Sequence, residues 1–177
     1  YDTVVNCVAF TDTYSENKLK HWNTNYKALS ELVDFCNIEN KKIVHISTDY
    51  IYAGSNKNAD LDEVPVHNKT WYSYTKLLAD AYVQLKSKKH LLIRCGHKEK
   101  PFKYEKAFDD VIGNFDYVDI IAKIIIDLIK NDVEGVNNIG TEVKSVYELA
   151  VRTNPNVIKS KRDNPLMPKD VTMDINK

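Results

Sequence analysis

Glycine is scarce in this chain, with five among 177 residues, and no two of Gly54, Gly96, Gly113, Gly135 and Gly140 stand closer than five positions apart. These residues therefore contain no glycine-rich turn that lets backbone N–H groups close on a phosphate. Cysteine is scarcer still. Cys7, Cys36 and Cys95 are odd in number and widely spaced, which argues against a disulfide framework or a thiolate metal site and fits a reducing cytoplasm. Neither sign of charge is in excess, because 25 Lys and Arg balance 25 Asp and Glu, so no net field recruits nucleic acid or an anionic membrane. Long apolar runs are also missing: Ile120 to Ile129 is broken by Lys123 and Asp127 and is too short to span a bilayer. The five histidines (His21, His45, His67, His90, His97) show no ligand spacing, and no metal is expected.

What is present is alternation. Short β-branched runs trade places with longer segments of helical period, the pattern of an α/β protein whose parallel strands are joined by crossover helices. TVVNCVAF, Thr3 to Phe10, is almost continuously apolar and reads as a central strand covered on both faces. Trp22, Tyr26, Leu29, Val33 and Cys36 form one stripe on a helix from about Ser15 to Asn40. The strand KIVHIS ends near Ser47, and Gly54 with SNKNADLDEVP marks a long loop. A second helix opens near Tyr72 with Leu77, Leu78, Ala81, Tyr82 and Leu85 expected on its buried side, followed by the strand HLLIRC. His97 to Asn114 shows no regular period. Beyond it come a helix at about Tyr117 to Lys130, a strand GVNNIG, a helix with capping-box spacing from Ser145 to Glu148, and an ordered tail from Asn154. Tyr1 leads almost directly into the first strand, with no charged leader ahead of it, so an upstream segment is expected to be missing.

In open parallel sheets ligands bind outside the carboxyl ends of the strands, which points to CVAFT, STDYIYAG and RCGHK. Thr48 leaves the second strand toward that crevice, and Tyr72 and Lys76 are one helical turn apart on the next helix. Tyr14 with Lys18 and Tyr82 with Lys86 share that spacing, but neither pair follows a strand and loop bearing a hydroxyl residue. A tyrosine near its ordinary pKa of ~10 exchanges protons poorly at neutral pH, and Lys76 is expected to favour its phenolate. Thr48 would hold a substrate oxygen, Tyr72 would give or take the proton, and a nicotinamide would carry the hydride.

VVNCVAFTD, HISTDYIYAG, the Tyr72 and Lys76 pair in WYSYTKLLAD, LLIRCG, and DYVDIIAKII with GVNNIG together resemble an extended short-chain dehydrogenase/reductase, most closely the dTDP-4-dehydrorhamnose reductase group. The resemblance covers nearly the whole chain and implies a Rossmann-like doubly wound parallel sheet, truncated at its N-terminal side, with a small C-terminal substrate-binding portion. Residues 1–96 would form the partial NAD(P)-binding core, and residues 97–177 the substrate portion interleaved with the last core elements. It makes Thr48, Tyr72 and Lys76 the catalytic set and Asp49 a substrate contact. It places Ala9, Phe10, Thr11, Asn25, Ser47, Tyr72, Lys76, Cys95 and Gly96 around an NADP or NAD cofactor. Lys76 would bind the nicotinamide ribose, while Cys95 and Gly96 close over the nicotinamide. A nucleotide-sugar substrate, a cytoplasmic location and a homodimer are compatible with it.

Two departures stand against the resemblance. The glycine turn belongs to an N-terminal unit these residues do not include, and the stretch from Gly96 to Tyr117 is shorter than the family's substrate loop. Lys98, Lys100, Lys103 and Lys106 in that stretch are candidates either for a diphosphate or for a solvated basic loop. Family dehydratases carry Asp-Glu after the threonine, whereas Thr48 is followed here by Asp49 and Tyr50, which favours keto reduction over dehydration. The alternatives are a sugar-nucleotide epimerase, a non-catalytic subunit like the regulatory subunit of methionine adenosyltransferase, and an inert fragment.

Overall fold

Four parallel strands, β1 (Thr3–Asn6), β2 (Lys42–Ile46), β3 (His90–Arg94) and β8 (Gly135–Asn138), pair in the order β1-β2-β3-β8. The computed structural model describes residues 1–53, 58–61 and 69–176. Much of the loop expected after Gly54 falls at 54–57 and 62–68, outside the described residues, as does His67.

Register decides which face each strand residue serves. Val5 pairs with Val44 and Val44 with Leu91, while Ile43 pairs with His90 and His45 with Leu92. Side chains alternate across a strand, so Ile43 and Leu92 point to one face and Val44, Leu91 and Ile93 to the other. On the first face Ile43 and Leu92 pack against Leu29, Val33 and Cys36 of α2 (Ala28–Ile38) and Ala79 and Val83 of α3 (Trp71–Lys86). On the second, Val44, Leu91 and Ile93 pack against Ile121 and neighbouring isoleucines of α4 (Val118–Lys130). Helices therefore lie on both faces of the sheet, a Rossmann-like α/β arrangement.

The first helical segment is not uniform. α1 (Lys18–His21) passes through a π-helical stretch at Trp22–Lys27 into α2. α3 begins at Thr70, whose hydroxyl accepts from the Ser73 N–H, and α5 (Val146–Ala150) carries the full capping box of Ser145 and Glu148.

Several expectations are corrected. β1 is an edge strand among the described residues, not a central one, and it stops at Asn6; Val5 is 47% exposed. The buried side of α3 is not the leucine face, and Leu85 is 81% exposed. Ser73, Thr75, Lys76, Ala79, Asp80 and Val83 face inward instead, because polar partners await them there. Asp80 meets Arg94 at 3.2 Å with both side chains buried, and Arg94 also donates to the Tyr52 hydroxyl at 2.6 Å. His97 to Asn114 is not irregular. It holds β4 (His97–Lys98), β5 (Lys106–Phe108) and β6 (Ile112–Gly113).

Each of these short strands finds its partner from the C-terminal portion: β4 with β7 (Asp116–Tyr117), β5 with β10 (Ile158–Ser160), and β6 with β9 (Lys144–Ser145) and β11 (Asp170–Val171). A second apolar core forms beneath them from Phe102, Val111, Phe115, Leu149 and Val171. The tail is held by Met173, which pairs with Ala59 and whose N–H donates to Asn114 Oδ1 at 2.8 Å.

Removing one partner of a buried ion pair strands the other charge. Arg94→Ala is expected to lower unfolding stability by about 3–5 kcal/mol in urea titration. Lys100→Ala, which breaks the exposed pair with Asp119, should leave the urea midpoint nearly unmoved.

Candidate active site

Beyond the carboxyl ends of β2 and β3 the chain takes two turns that face each other. The Ser47 N–H donates to the Ile93 carbonyl at 2.6 Å and the Asp49 N–H to the Cys95 carbonyl at 3.3 Å, so the ladder runs past both strands and sets Ser47-Thr48-Asp49 beside Cys95-Gly96. Thr48 then caps a short 3₁₀ turn, Asp49–Tyr52, accepting from the Tyr50 N–H at 3.2 Å. Its hydroxyl donates to Asp49 Oδ1 at 3.2 Å. A side chain on Gly96 would collide with the Asp49 carboxylate and the Phe115 ring stem, so glycine is needed there for the two turns to approach.

A cavity of about 180 Å³ opens at this point, lined by Thr11, Thr13, Ser47, Thr48, Asp49, Tyr50, Tyr72, Cys95, Gly96, His97, Lys98 and the apolar Val111, Phe115 and Val171. The structure thus brings Thr11, Ser47, Thr48, Asp49, Tyr72, Cys95 and Gly96 from three strand ends and one helix to a single opening. Lys76 lies behind it, 1% exposed, donating to the Ile46 carbonyl at 2.8 Å and lying 3.3 Å from His45 Nε2. Asn25 is turned away from the cavity lining. Its side chain accepts from the Phe10 N–H at 2.7 Å, donates to the Phe10 carbonyl at 3.2 Å and reaches the Thr75 hydroxyl at 3.3 Å. It clamps the segment containing Ala9 and Phe10 onto α3, and the Phe10 ring stacks at 4.7 Å on His21.

The electrostatics differ from expectation. Burial pushes the Tyr72 phenol up to about 12, and nearby Asp49 adds to this, while the hydrogen bond from its neighbour Thr48 works the other way. The expected fall of the phenol below its ordinary value is corrected, because burial outweighs any support from Lys76, whose Nζ is hydrogen-bonded to the Ile46 carbonyl beside His45. Burial brings Lys76 down to about 8 against the pull of Asp80. Asp49 is raised by burial, with Lys98 opposing. Lys98 is lowered by its own burial and lies over the Phe115 ring at 5.4 Å.

Reading the sequence missed Thr13, Tyr50, His97, Val111, Phe115 and Val171 as lining residues. Tyr50 meets the Tyr72 ring edge-on at 6.2 Å and the Tyr14 hydroxyl at 3.3 Å. Among the four lysines of the basic stretch, Lys100 pairs with Asp119 and Lys103 with Glu99, leaving Lys98 and Lys106 at the openings. Tyr50, Lys98 and Val111 also border a second cavity of about 530 Å³ walled by Phe102, Tyr104, Phe108 and Met167. Its aromatic rings were legible as such, but their convergence depends on the pairing of β5 with β10.

Hydroxyls from Thr11, Thr13, Ser47, Thr48 and Tyr72 around one opening suit a polyhydroxylated ligand, and the opening lies at the strand ends where an open parallel sheet receives a dinucleotide. No glycine turn in these residues would cradle its pyrophosphate.

The fold is shared with solved structures. A hypothetical dTDP-4-dehydrorhamnose reductase from Sulfolobus tokodaii superposes with a TM-score of 0.83 at 23% identity, over 98% of this chain and 71% of that one. The dTDP-4-dehydrorhamnose reductase of Bacillus anthracis, solved in complex with NADP, gives 0.83 at 19% identity over 99% and 72%. A UDP-glucuronic acid 4-epimerase from Bacillus cereus in complex with NAD gives 0.69 at 18% identity over 83% and 56%. A search of the curated proteins found no match. The RmlD substrate binding domain model matches residues 1–152, the stretch that carries Thr48, Tyr72, Lys76 and most of the cavity wall, and the chain belongs to that family.

Proposed function

We propose that this chain carries the catalytic and substrate-binding portion of an NAD(P)-dependent reductase acting on the 4-keto group of a nucleotide-activated deoxysugar. The observation that supports this most is the meeting of the Thr48 and Tyr72 hydroxyls at the mouth of one hydroxyl-lined cavity, with Lys76 buried behind them. The bound nicotinamide supplies the hydride. Thr48 swings its O–H from Asp49 to the ketone oxygen and orients it, and Tyr72 gives that oxygen a proton as it gains charge. A phenol raised to about 12 stays protonated throughout the physiological range, which is the form reduction needs and the reverse oxidation does not. Lys76 supports the phenolate that remains after transfer. The aromatic cavity beyond Tyr50 accepts a nucleotide base, and Lys98 at the junction meets the diphosphate between base and sugar.

Three outcomes are expected in the protein at the length its gene encodes, assayed by substrate-dependent oxidation of NADPH or NADH. Tyr72→Phe should reduce kcat by about a hundredfold or more while cofactor affinity holds; intact turnover would overturn the assignment. The wild-type kcat/KM for reduction should fall as pH rises through about 8, where Lys76 loses its ammonium. Lys98→Ala should raise KM for the nucleotide sugar about tenfold or more, with a smaller change in kcat, as expected when a charge-assisted contact to a phosphate is lost.

A further inference from the structure

Behind the cavity a polar chain reaches Lys76 through two residues that the mechanism above does not use. Asn6 Nδ2 is 3.1 Å from His45 Nδ1, and His45 Nε2 is 3.3 Å from Lys76 Nζ. All three residues are buried, on β1, β2 and α3 respectively. The Val8 N–H donates to Asn6 Oδ1 at 3.2 Å, and this turns the amide nitrogen toward the imidazole. An amide NH₂ only donates, so Nδ1 accepts through its lone pair, and the one proton of a neutral imidazole is then on Nε2. The ring is neutral, because burial and the neighbouring Lys76 hold it well below the ordinary histidine value. Nε2–H therefore points at Nζ. An ammonium would set donor against donor there, whereas an uncharged amine offers its lone pair to Nε2–H and still donates to the Ile46 carbonyl at 2.8 Å.

We propose that Asn6 and His45 are positioning residues that fix one imidazole proton against Lys76 Nζ and so favour the uncharged amine. This rests on the reading of Lys76 as the support of Tyr72. The other groups facing Lys76 pull the opposite way: Asp80, one turn further along α3, and Cys95 beyond β3 both favour the ammonium. Asp80 is itself held by Arg94, so part of its charge is already answered. The consequence is a lysine that gives up a proton readily.

The test needs no turnover. Two-bond 15N–1H correlation spectra of histidine-labelled protein, with His45 assigned by loss of its signals in His45→Gln, report which ring nitrogen holds the proton. Nε2–H is expected; Nδ1–H or an imidazolium at neutral pH would overturn the proposal. Asn6→Asp replaces the donor with a carboxylate that accepts from Nδ1–H, bares the Nε2 lone pair to an ammonium, and should raise the Lys76 titration, followed by its 15Nζ shift, by at least one pH unit, a tenfold change in the proton equilibrium. An unchanged or lowered titration in a folded Asn6→Asp protein would also overturn it, and if that variant fails to fold, the wild-type tautomer alone decides. Loss of turnover in Tyr72→Phe alongside a His45 Nδ1–H tautomer would sink the positioning role and spare the reductase. The expected tautomer alongside full turnover in Tyr72→Phe would do the reverse.

Discussion

A lysine packed at 1% exposure between a helix and the sheet is the constraint around which the site is arranged. Moving an ammonium out of water costs several kcal/mol unless partners replace its hydration, and among the described residues Lys76 has a carbonyl, an imidazole and a more distant carboxylate. The proton is the variable that yields. An unfolded chain keeps it until about 10.5, the folded chain releases it near 8, and so the penalty that Lys76 imposes on folding is present below that window and fades as pH rises through it. Much of the polar character of α3's inner face follows from this. Asp80 and Arg94 sit within the same layer, and Asn25 with Thr75 ties the first helical segment to it.

The contrast between Tyr72 and Lys76 is informative. Both are buried, and burial moves each toward its neutral form, the phenol upward and the amine downward. Two values that nearly coincide in free side chains are thereby driven apart, to about 12 for the phenol and about 8 for the amine, so the proton on Lys76 is by far the more easily released. The neighbouring carboxylate Asp49 makes the phenolate harder still to form, while Lys98 restrains Asp49 from across the cavity.

Legibility from sequence followed the kind of information each feature needs. β2, β3, β8, α4 and the Ser145 to Glu148 capping box could be read because apolar period and cap spacing are local properties. The ends of the strands, and with them Thr48, Tyr72 and Lys76, came from motif order. The inner face of α3 was misassigned because a periodicity count treats Lys76 and Asp80 as solvent-facing, and only the ladder from distant strands supplies His45, Ile46 and Arg94 as partners. β4, β5 and β6 escaped notice for a related reason. They are two or three residues long, and each exists only because a strand many residues later pairs with it.

The cavity wall is shared between segments far apart in sequence, with Thr11 and Thr13 on one side and Val171 on the other. Translation must therefore run past Val171, and β11 must dock on β6, before the mouth acquires its apolar rim. Until that docking the hydroxyls lie in an open trough: the strands that aim them precede in sequence the segment that closes the wall beside them, so the cavity cannot be completed by local folding alone.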